Sequence, residues 1–389
     1  MNPRIAIIGA GPAGLALALH AAHTLPQAEL SLFDTRPLDR DVAGDRRTLA
    51  LALGSVQWLQ QLGTWPAHAA AAITGVHVSQ VPPSFGAAAV QISAAEQGVV
   101  QLGAVLPFGA LVATMQAAWL AAAEAAPQRL HSRFGTPVTA LKAVPGGVEL
   151  DAGINENFDL AVVAEGGVFA DQARKAVTHD YAQTAWVGTV TLAGATPGLA
   201  FERFTRQGPA ALLPLPPAAD GTARAALVWC VDSGDDPVRG LDDTQRLALL
   251  NTVFPREAGR LLSLSPLKAF ALGLNAERTL VDGRTVRIGN AAQTLHPVAG
   301  QGLNLGLRDA HQLVEALRFN ADIDAALKRV EWARAPDRWA MIAATDFLAR
   351  SFTWRLPGAA TLRGAGLAAL QRFAPGKAVL ARRMMFGGR

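Results

Sequence analysis

The chain has 389 residues, of which half are hydrophobic and 17% are charged, and it carries a net charge of +4 at pH 7. This length allows one large domain or two to three modest ones, and the apolar content excludes a disordered chain. The glycines follow no period of three, which excludes collagen, and the lone cysteine excludes an intrachain disulfide. So small a net charge gives no support for nucleic-acid binding, and we expect no nucleic-acid partner.

The first forty residues have the pattern of a strand, a tight turn, a helix and a second strand. Residues 3–8 form a short apolar run, residues 15–23 favour a helix that ends before Pro26, and residues 29–33 form another strand-like run. This βαβ order predicts a parallel sheet and an α/β fold. A signal peptide is the weaker interpretation, because a glycine-rich turn interrupts the apolar stretch.

Gly9, Gly11 and Gly14 lie between the first strand and its helix, with the spacing G-x-G-x-x-G. Gly9 permits the tight turn, Gly11 lets the backbone approach a pyrophosphate, and Gly14 lets the helix pack closely on the strand. Asp34 follows Gly14 by twenty residues, where a carboxylate would accept a ribose hydroxyl. The turn, including Ala13, is therefore predicted to bind a dinucleotide, but it does not separate FAD from NAD.

An uncharged run over residues 97–123 is long enough to span a bilayer. Pro107, Gly109 and several glutamines interrupt it, and alanine is more frequent in it than leucine. We therefore interpret it as a buried strand followed by an alanine-rich core helix.

The middle of the chain changes to short β-type runs separated by Gly, Pro and Asp turns. These runs are residues 186–193, 200–205, 210–215 and 225–231. Such a set of strands within an α/β chain predicts an inserted, mostly antiparallel second sheet. Residues 285–289 then return to a strand, a helix follows, and from about residue 327 the pattern is helical to the end.

The most informative stretch runs from Gly289 to Ala310 and combines a strand end, a glycine-containing loop and a helix start near Gly302. Backbone N–H groups at a helix start stabilise a nearby negative charge by about 1 kcal/mol. The stretch resembles the second FAD-binding signature of the aromatic-ring flavoprotein monooxygenases, which share the para-hydroxybenzoate hydroxylase fold. More narrowly, it resembles the ubiquinone-biosynthesis hydroxylases, of the 2-octaprenyl-6-methoxyphenol hydroxylase type.

In that family the loop has the sequence Gly-Asn/Asp-Ala-Ala-x-x-x-His-Pro, followed by Gly-Gln-Gly-x-Asn. Other segments of this chain also resemble the family, so the resemblance covers nearly the whole sequence. They are Asp45-Arg46-Arg47, Leu62-Gly63-x-Trp65, Glu202-Arg203-Phe204-Thr205, Leu213-Pro214-Leu215 and Glu331…Arg334…Asp337-Arg338.

The resemblance implies FAD as the cofactor. Asn290 would approach its ribityl and phosphate region, Arg47 would lie along it, and the segment from Pro297 to Asn304 would face its isoalloxazine. The predicted cofactor-binding residues are Gly9, Gly11, Ala13, Gly14, Asp34, Arg47, Asn290, Pro297, Gly300, Gly302, Leu303 and Asn304. His296 and Pro297 are the catalytic candidates, although a structural role for His296 is equally compatible. No metal-ligand spacing occurs, so no metal is expected.

The activity that the resemblance implies is FAD-dependent hydroxylation of the aromatic ring of a polyprenylated phenol in ubiquinone biosynthesis. NAD(P)H would be the transient reductant, and O2 would react through a C4a-hydroperoxyflavin that the protein shields from water. Tyr181 is the only tyrosine, so a two-tyrosine relay that deprotonates the phenol is impossible. The alternatives are a hydroxylase of a soluble aromatic compound, a flavoprotein reductase without oxygen insertion, and a non-catalytic member of a biosynthetic complex.

Two positions depart from the family pattern. The mid-chain Asp-Gly signature is replaced here by Glu165-Gly166-Gly167, followed by Val168 and Phe169. Gly109 stands where relatives often carry an arginine, which argues against a cofactor clamp there. Cys230 lies in a β-type run and is expected to be a buried, inert thiol.

We expect an FAD-binding domain of Rossmann type, an inserted substrate domain and a C-terminal helical region. Their predicted parts are residues 1–75, 101–178 and 276–325, then residues 76–100 and 179–275, and finally residues 326–389.

The C-terminal tail is basic and apolar, because no Asp or Glu follows Asp346 while seven arginines and Lys377 do. Such a segment is typical of contact with a membrane surface or with a biosynthetic complex, and a solvated helix is the alternative. We expect a cytoplasmic protein, with a peripheral position at the inner face of the membrane as the further possibility.

Overall fold

The computed structural model describes residues 2–81, 89–165, 175–351 and 358–388. The strands in chain order are β1 (Arg4–Ile8), β2 (Glu29–Asp34), β3 (Thr48–Ala52), β4 (Ala71–Ile73), β5 (Gly75–Gln80), β6 (Val90–Ser93), β7 (Gly103–Pro107), β8 (Leu130–Phe134), β9 (Ala140–Val144), β10 (Gly147–Asp151), β11 (Asn155–Phe158), β12 (Leu160–Val163), β13 (Lys175–Ala193), β14 (Leu199–Phe204), β15 (Pro209–Leu215), β16 (Ala223–Asp232), β17 (Arg260–Leu264), β18 (Lys268–Glu277), β19 (Val281–Asp282), β20 (Thr285–Arg287) and β21 (Gln293–Thr294). The helices are α1 (Pro12–Thr24), α2 (Leu53–Gln61), α3 (Phe108–Ala125), α4 (Asp243–Val253), α5 (Gly302–Phe319), α6 (Ile323–Ser351), α7 (Ala359–Arg372) and α8 (Ala374–Phe386).

A six-stranded sheet forms the first layer, in the order β19-β20-β12-β1-β2-β8. All its pairings are parallel except that of the short β19 with β20. The inner strands are almost entirely apolar and buried, as a parallel sheet covered on both faces requires. Helix α1 begins at Pro12, three residues earlier than the sequence pattern indicated, because proline is well tolerated in the first turn of a helix.

A nine-stranded sheet forms the second domain, in the order β21-β18-β13-β16-β15-β14-β5-β6, with β17 paired to β13. Its pairings are antiparallel except that between β14 and β5. Strand β13 begins at Lys175, eleven residues before the predicted run, because its polar first half pairs with β18. Apolar alternation does not reveal such a strand half.

Helix α3 carries the apolar run whose interpretation was open. It is long and apolar enough to cross a membrane by length and composition, but a buried core helix meets the same criterion. Leu111, Met115 and Trp119 on α3 belong to the core of the first domain. The Trp119 Nε1 donates to the Ser132 hydroxyl of β8 at 2.9 Å. This packing matches the strand-and-core-helix interpretation.

The predicted domain boundaries at 178/179 and 275/276 fall inside β13 and β18, which pair with each other. Strands β5 and β6 join the nine-stranded sheet, as expected of residues 76–100. The remaining boundaries stay predictions.

A buried polar cluster joins α5 and α6 to β21. The Asp309 carboxylate, which is fully buried, accepts from Arg334 at 2.8 Å and from Gln293 at 3.1 Å. Arg338 donates to the Gln293 side-chain oxygen at 2.6 Å. Because unpaired buried charges are costly, this cluster holds α5 in one position relative to both sheets.

Candidate active site

A large cavity runs along the carboxyl ends of the parallel strands and has a volume of about 1740 Å³. Its volume exceeds that of a typical pocket for a compact ligand, which leaves room for an extended dinucleotide. Seven of the predicted cofactor-binding residues line it: Gly9, Gly11, Ala13, Asp34, Arg47, Asn290 and Leu303.

The glycine turn fits a pyrophosphate. Gly9 has φ +105°, a backbone conformation that residues with a side chain rarely adopt. A Cβ on Gly9 would also lie only 2.8 Å from the Glu165 Cβ, so the contact excludes a larger residue as well. A Cβ on Gly11 would meet nothing within 4 Å, which leaves room for a ligand against the backbone. Gly14 lines neither cavity, and a Cβ there would collide with the Gly9 carbonyl oxygen. The first-turn amides of α1 have no intrahelical acceptors and point towards this space.

The Asp34 carboxylate is held at the end of β2 by two backbone amides. It accepts from Ala10 N at 2.6 Å and from Arg36 N at 2.7 Å. Glu165 follows β12 beside the same turn, and burial together with the Asp34 charge raises its pKa. Glu165 begins the segment that departs from the family's Asp-Gly signature. The rest of that segment, Gly166–Phe169, lies outside the described residues.

Arg47 reaches the cavity from the segment before β3. Its guanidinium pairs with Asp45 at 2.7 Å and lies over the Phe108 ring at 4.3 Å. Gly109 follows Phe108, and a Cβ there would lie 2.5 Å from the carbonyl oxygens of Val42 and Ala43. The backbone therefore occupies the space that an arginine side chain would need.

The loop between residues 297 and 304 separates this cavity from a second one. Leu303 lines the first cavity, whereas Pro297, Gly300 and Asn304 line the second. Gly302 lines neither and begins α5. The loop thus presents one side to each cavity, and its position beside the isoalloxazine stays a prediction.

Both polar atoms of the Asn304 side chain make hydrogen bonds within the protein. Its oxygen accepts from Ala52 N and the Ser55 hydroxyl, both at 2.8 Å. Its nitrogen donates to Ala50 O at 3.2 Å and to Gly300 O at 2.9 Å. Asn304 therefore positions the loop through its side chain, and its direct contact with the cofactor stays a prediction.

His296 lies beneath the loop and is 1% exposed. Its Nδ1 accepts from Val298 N at 3.1 Å, and its Nε2 lies 2.9 Å from the Gln183 side-chain oxygen. A backbone N–H only donates, so the imidazole is neutral, and burial lowers its pKa to about 4. This geometry favours a structural role for His296, and its catalytic role stays a prediction.

The second cavity has a volume of about 340 Å³ and lies between the nine-stranded sheet and the C-terminal helices. Its wall is almost wholly apolar and includes β5, β14, β15 and β16. Helices α7 and α8 contribute Leu367, Leu370, Leu380, Met384 and Met385. Composition alone did not indicate that the tail closes a cavity.

The structure also brings together a cluster that the sequence analysis missed, although no metal was expected. Ligand atoms of His20, His311 and Glu315 lie within 4.8 Å of one another between α1 and α5. His20 Nε2 lies 3.4 Å from Glu315 Oε1, and burial lowers the pKa of His20. Only the spacing of His311 and Glu315, one helical turn apart, was visible in the sequence.

Comparisons with known proteins agree with this geometry. The family described as "FAD binding domain" matches residues 176–343. The chain is 30% identical to 3-demethoxyubiquinol 3-hydroxylase of Escherichia coli, over 95% of this chain and 94% of that protein. It is 37% identical to ubiquinone hydroxylase UbiL of Rhodospirillum rubrum, over 54% of this chain and about half (49%) of that protein.

Solved structures share the fold. HpxO of Klebsiella pneumoniae, complexed with FAD and uric acid, has a TM-score of 0.74 at 16% identity and covers 99% of this chain and 97% of its own. PqsL of Pseudomonas aeruginosa, in complex with 2-aminobenzoylacetate, has a TM-score of 0.72 at 18% identity, with 94% and 99% covered. These similarities confirm the predicted fold class.

We expect the Gly11→Asp variant to fold but to lose FAD. The new side chain would enter the open space beside the turn and repel the pyrophosphate, while its charge at a helix start does not destabilise α1. Gly240→Asp is the control, because Gly240 is exposed and its Cβ also meets open space. The flavin-to-protein ratio and circular dichroism measure the result. A Gly11→Asp variant that retains full flavin would contradict the assignment.

We expect His296 to make the protein less stable in acid. The unfolded imidazole protonates near pH 6.5 and the folded one only near pH 4, so stability is lost as the pH falls through this window. Between pH 7 and 4.5, the free energy of unfolding should fall by about 2 kcal/mol more in the wild type than in His296→Gln. Urea unfolding at both pH values measures the difference, and equal losses would show that His296 does not titrate in this way.

Proposed function

Since this chain belongs to the FAD-dependent hydroxylases of ubiquinone biosynthesis, we propose that it hydroxylates the ring of a phenol carrying a polyprenyl chain. It is an FAD-dependent monooxygenase, and NAD(P)H is the reductant typical of the family. The observation that carries the substrate proposal is the apolar second cavity behind the loop at residues 297–304.

The wall of this cavity favours a prenylated ring over a soluble aromatic acid. No Lys, Arg or His is among the described residues that line it. A substrate carboxylate would find no cation among these residues, and burying it unpaired is strongly unfavourable. A prenyl chain, by contrast, would be stabilised by burying its apolar surface against the leucine and methionine side chains of α7 and α8.

The residues that line the two cavities define what the protein contributes to the reaction. Bound FAD supplies the activation of O2. The glycine turn and Arg47 hold the cofactor, and the loop fastened by Asn304 separates it from the substrate cavity. The apolar walls exclude water from the reacting ring.

Oxygen-isotope labelling tests this function. With FAD, NADPH and 18O2, we expect one labelled oxygen atom in a short-chain prenylated phenol and much slower turnover of 4-hydroxybenzoate. Gly11→Asp supplies the flavin-free control. Unlabelled product would support a reductase, and faster turnover of 4-hydroxybenzoate would overturn the proposed substrate class.

We further propose that α7 and α8 rest on an anionic membrane surface at the cytoplasmic side. Leu362 on α7 and Val379 on α8 are 75% and 57% exposed, and Phe373 between the two helices is 61% exposed. Arg382 and Arg383 on α8 are also exposed. The described part of both helices contains no acidic residue. Large apolar side chains among arginines are typical of an interfacial helix. A substrate from the bilayer would reach the cavity behind them directly.

Lys377 does not belong to this surface, contrary to the expectation for the tail. It is buried, and its ammonium pairs with Glu96 at 3.2 Å and donates to Gln91 O at 3.0 Å. This contact holds α8 against the strand β6 region. The exposed arginines alone are therefore available for lipid headgroups.

Vesicle flotation tests the membrane proposal. Phosphatidylcholine vesicles containing phosphatidylglycerol should bind the protein, and the double variant Arg382→Glu/Arg383→Glu should bind roughly thirty-fold more weakly. Arg256→Glu/Arg260→Glu is the matched control, since both arginines are exposed in the second domain. Equal binding by the two double variants, or equal binding to vesicles without phosphatidylglycerol, would contradict the proposal.

A further inference from the structure

Strand β14 presents one carboxylate to the apolar second cavity. Glu202 lines the cavity, as do Ala200, Phe201 and Phe204, of which Ala200 and Phe204 share its side of the strand. Arg203 points to the other side of the sheet, where its Nε donates to Val253 O at the end of α4 at 3.0 Å. Strand alternation thus directs the Glu202 carboxyl into the cavity.

The described surroundings of Glu202 provide no partner for its charge. Its cross-strand neighbours are Val78 on β5 and Ala211 on β15, which are both apolar. Among the described residues no hydrogen bond or ion pair satisfies the carboxyl, and Cys230 is the only other ionisable group in the cavity wall. A polar group kept in such a place without a partner is costly, which points to a ligand as its partner.

Glu202 also lies close to the predicted position of the flavin ring. Phe204, two residues along the same face, packs against Val298 of the loop. Residues two apart on a strand are separated by about 7 Å. A phenol ring in the cavity therefore reaches both the carboxyl of Glu202 and the loop at residues 297–300.

We propose that Glu202 is a catalytic residue that binds the phenol hydroxyl of the substrate and accepts its proton. This inference rests on the proposed function. The phenol O–H bond breaks, the proton passes to a carboxylate oxygen, and the electron pair stays on the phenol oxygen. The ring carbon that takes one atom of O2 becomes more electron-rich.

The proton balance closes over the reaction. After the carbon–oxygen bond has formed, the hydrogen of that ring carbon leaves as a proton, and the phenolate oxygen recovers its proton from Glu202. The second atom of O2 leaves as water, with its electrons drawn from NAD(P)H through FAD.

Burial raises the pKa of Glu202 to about 8. A base with this pKa matches a phenol better than an ordinary carboxylate does, because proton transfer is then less uphill. Burial and the nearby Glu202 carboxyl also raise the pKa of the Cys230 thiol, so it stays uncharged. Turnover should therefore rise with pH through about 8, as Glu202 loses its proton.

The variants Glu202→Gln, Glu202→Asp and Glu257→Gln test this role. We expect Glu202→Gln to lower kcat about 100-fold or more and to remove the rise near pH 8, while Glu202→Asp retains a pH-dependent rate. Glu257→Gln removes an exposed carboxylate outside the cavity and should leave kcat and its rise near pH 8 unchanged. If the wild type inserts labelled oxygen and Glu202→Gln retains its rate and pH profile, this inference is wrong while the proposed function stands.

A binding measurement tests the contact without turnover. The FAD-loaded wild type should bind a short-chain prenylated phenol about tenfold more tightly than its methyl ether, as measured by flavin fluorescence. Glu202→Leu, which suits the apolar cavity, should bind both compounds equally. Equal affinities in the wild type, or an unchanged preference in Glu202→Leu, would overturn the proposed contact.

Discussion

The hydrogen bonds of the Asn304 side chain are the constraint on which the active site depends. They tie the first turn of α5 to β3 and α2 and close the loop through Gly300. His296 holds the other end of the loop by accepting from Val298 N. Because both side chains are buried, these hydrogen bonds hold the loop between the two cavities.

The two cavities differ in chemistry as their ligands require. The first has backbone amides, arginines and carboxylates along the ends of the parallel strands, which suits a charged dinucleotide. The second is apolar and is closed by the C-terminal helices, and its described wall contains one carboxylate. A prenylated phenol matches this combination, because its chain is apolar and its hydroxyl is the one group that needs a polar partner.

Much of the site could be predicted because its residues are close together in sequence. The turn from Gly9 to Gly14 and the loop from Gly289 to Asn304 each contain their own spacing, strand and helix. Glu202 gave no such signal, since its role depends on which strands pair with β14 and on the lack of a cation among the described residues of the cavity wall. The inward position of Lys377 was equally hidden, because its partner Glu96 is 281 residues away.

By itself the sequence determined the α/β class, the inserted antiparallel sheet and the dinucleotide turn, because each follows from local periodicity and from glycine spacing. Only the tertiary structure decided that Asn304 and His296 use their side chains to hold the loop, and that α7 and α8 close the second cavity. Those outcomes depend on contacts between distant segments, and which buried polar atom finds which partner is settled only when the sheets and helices pack together.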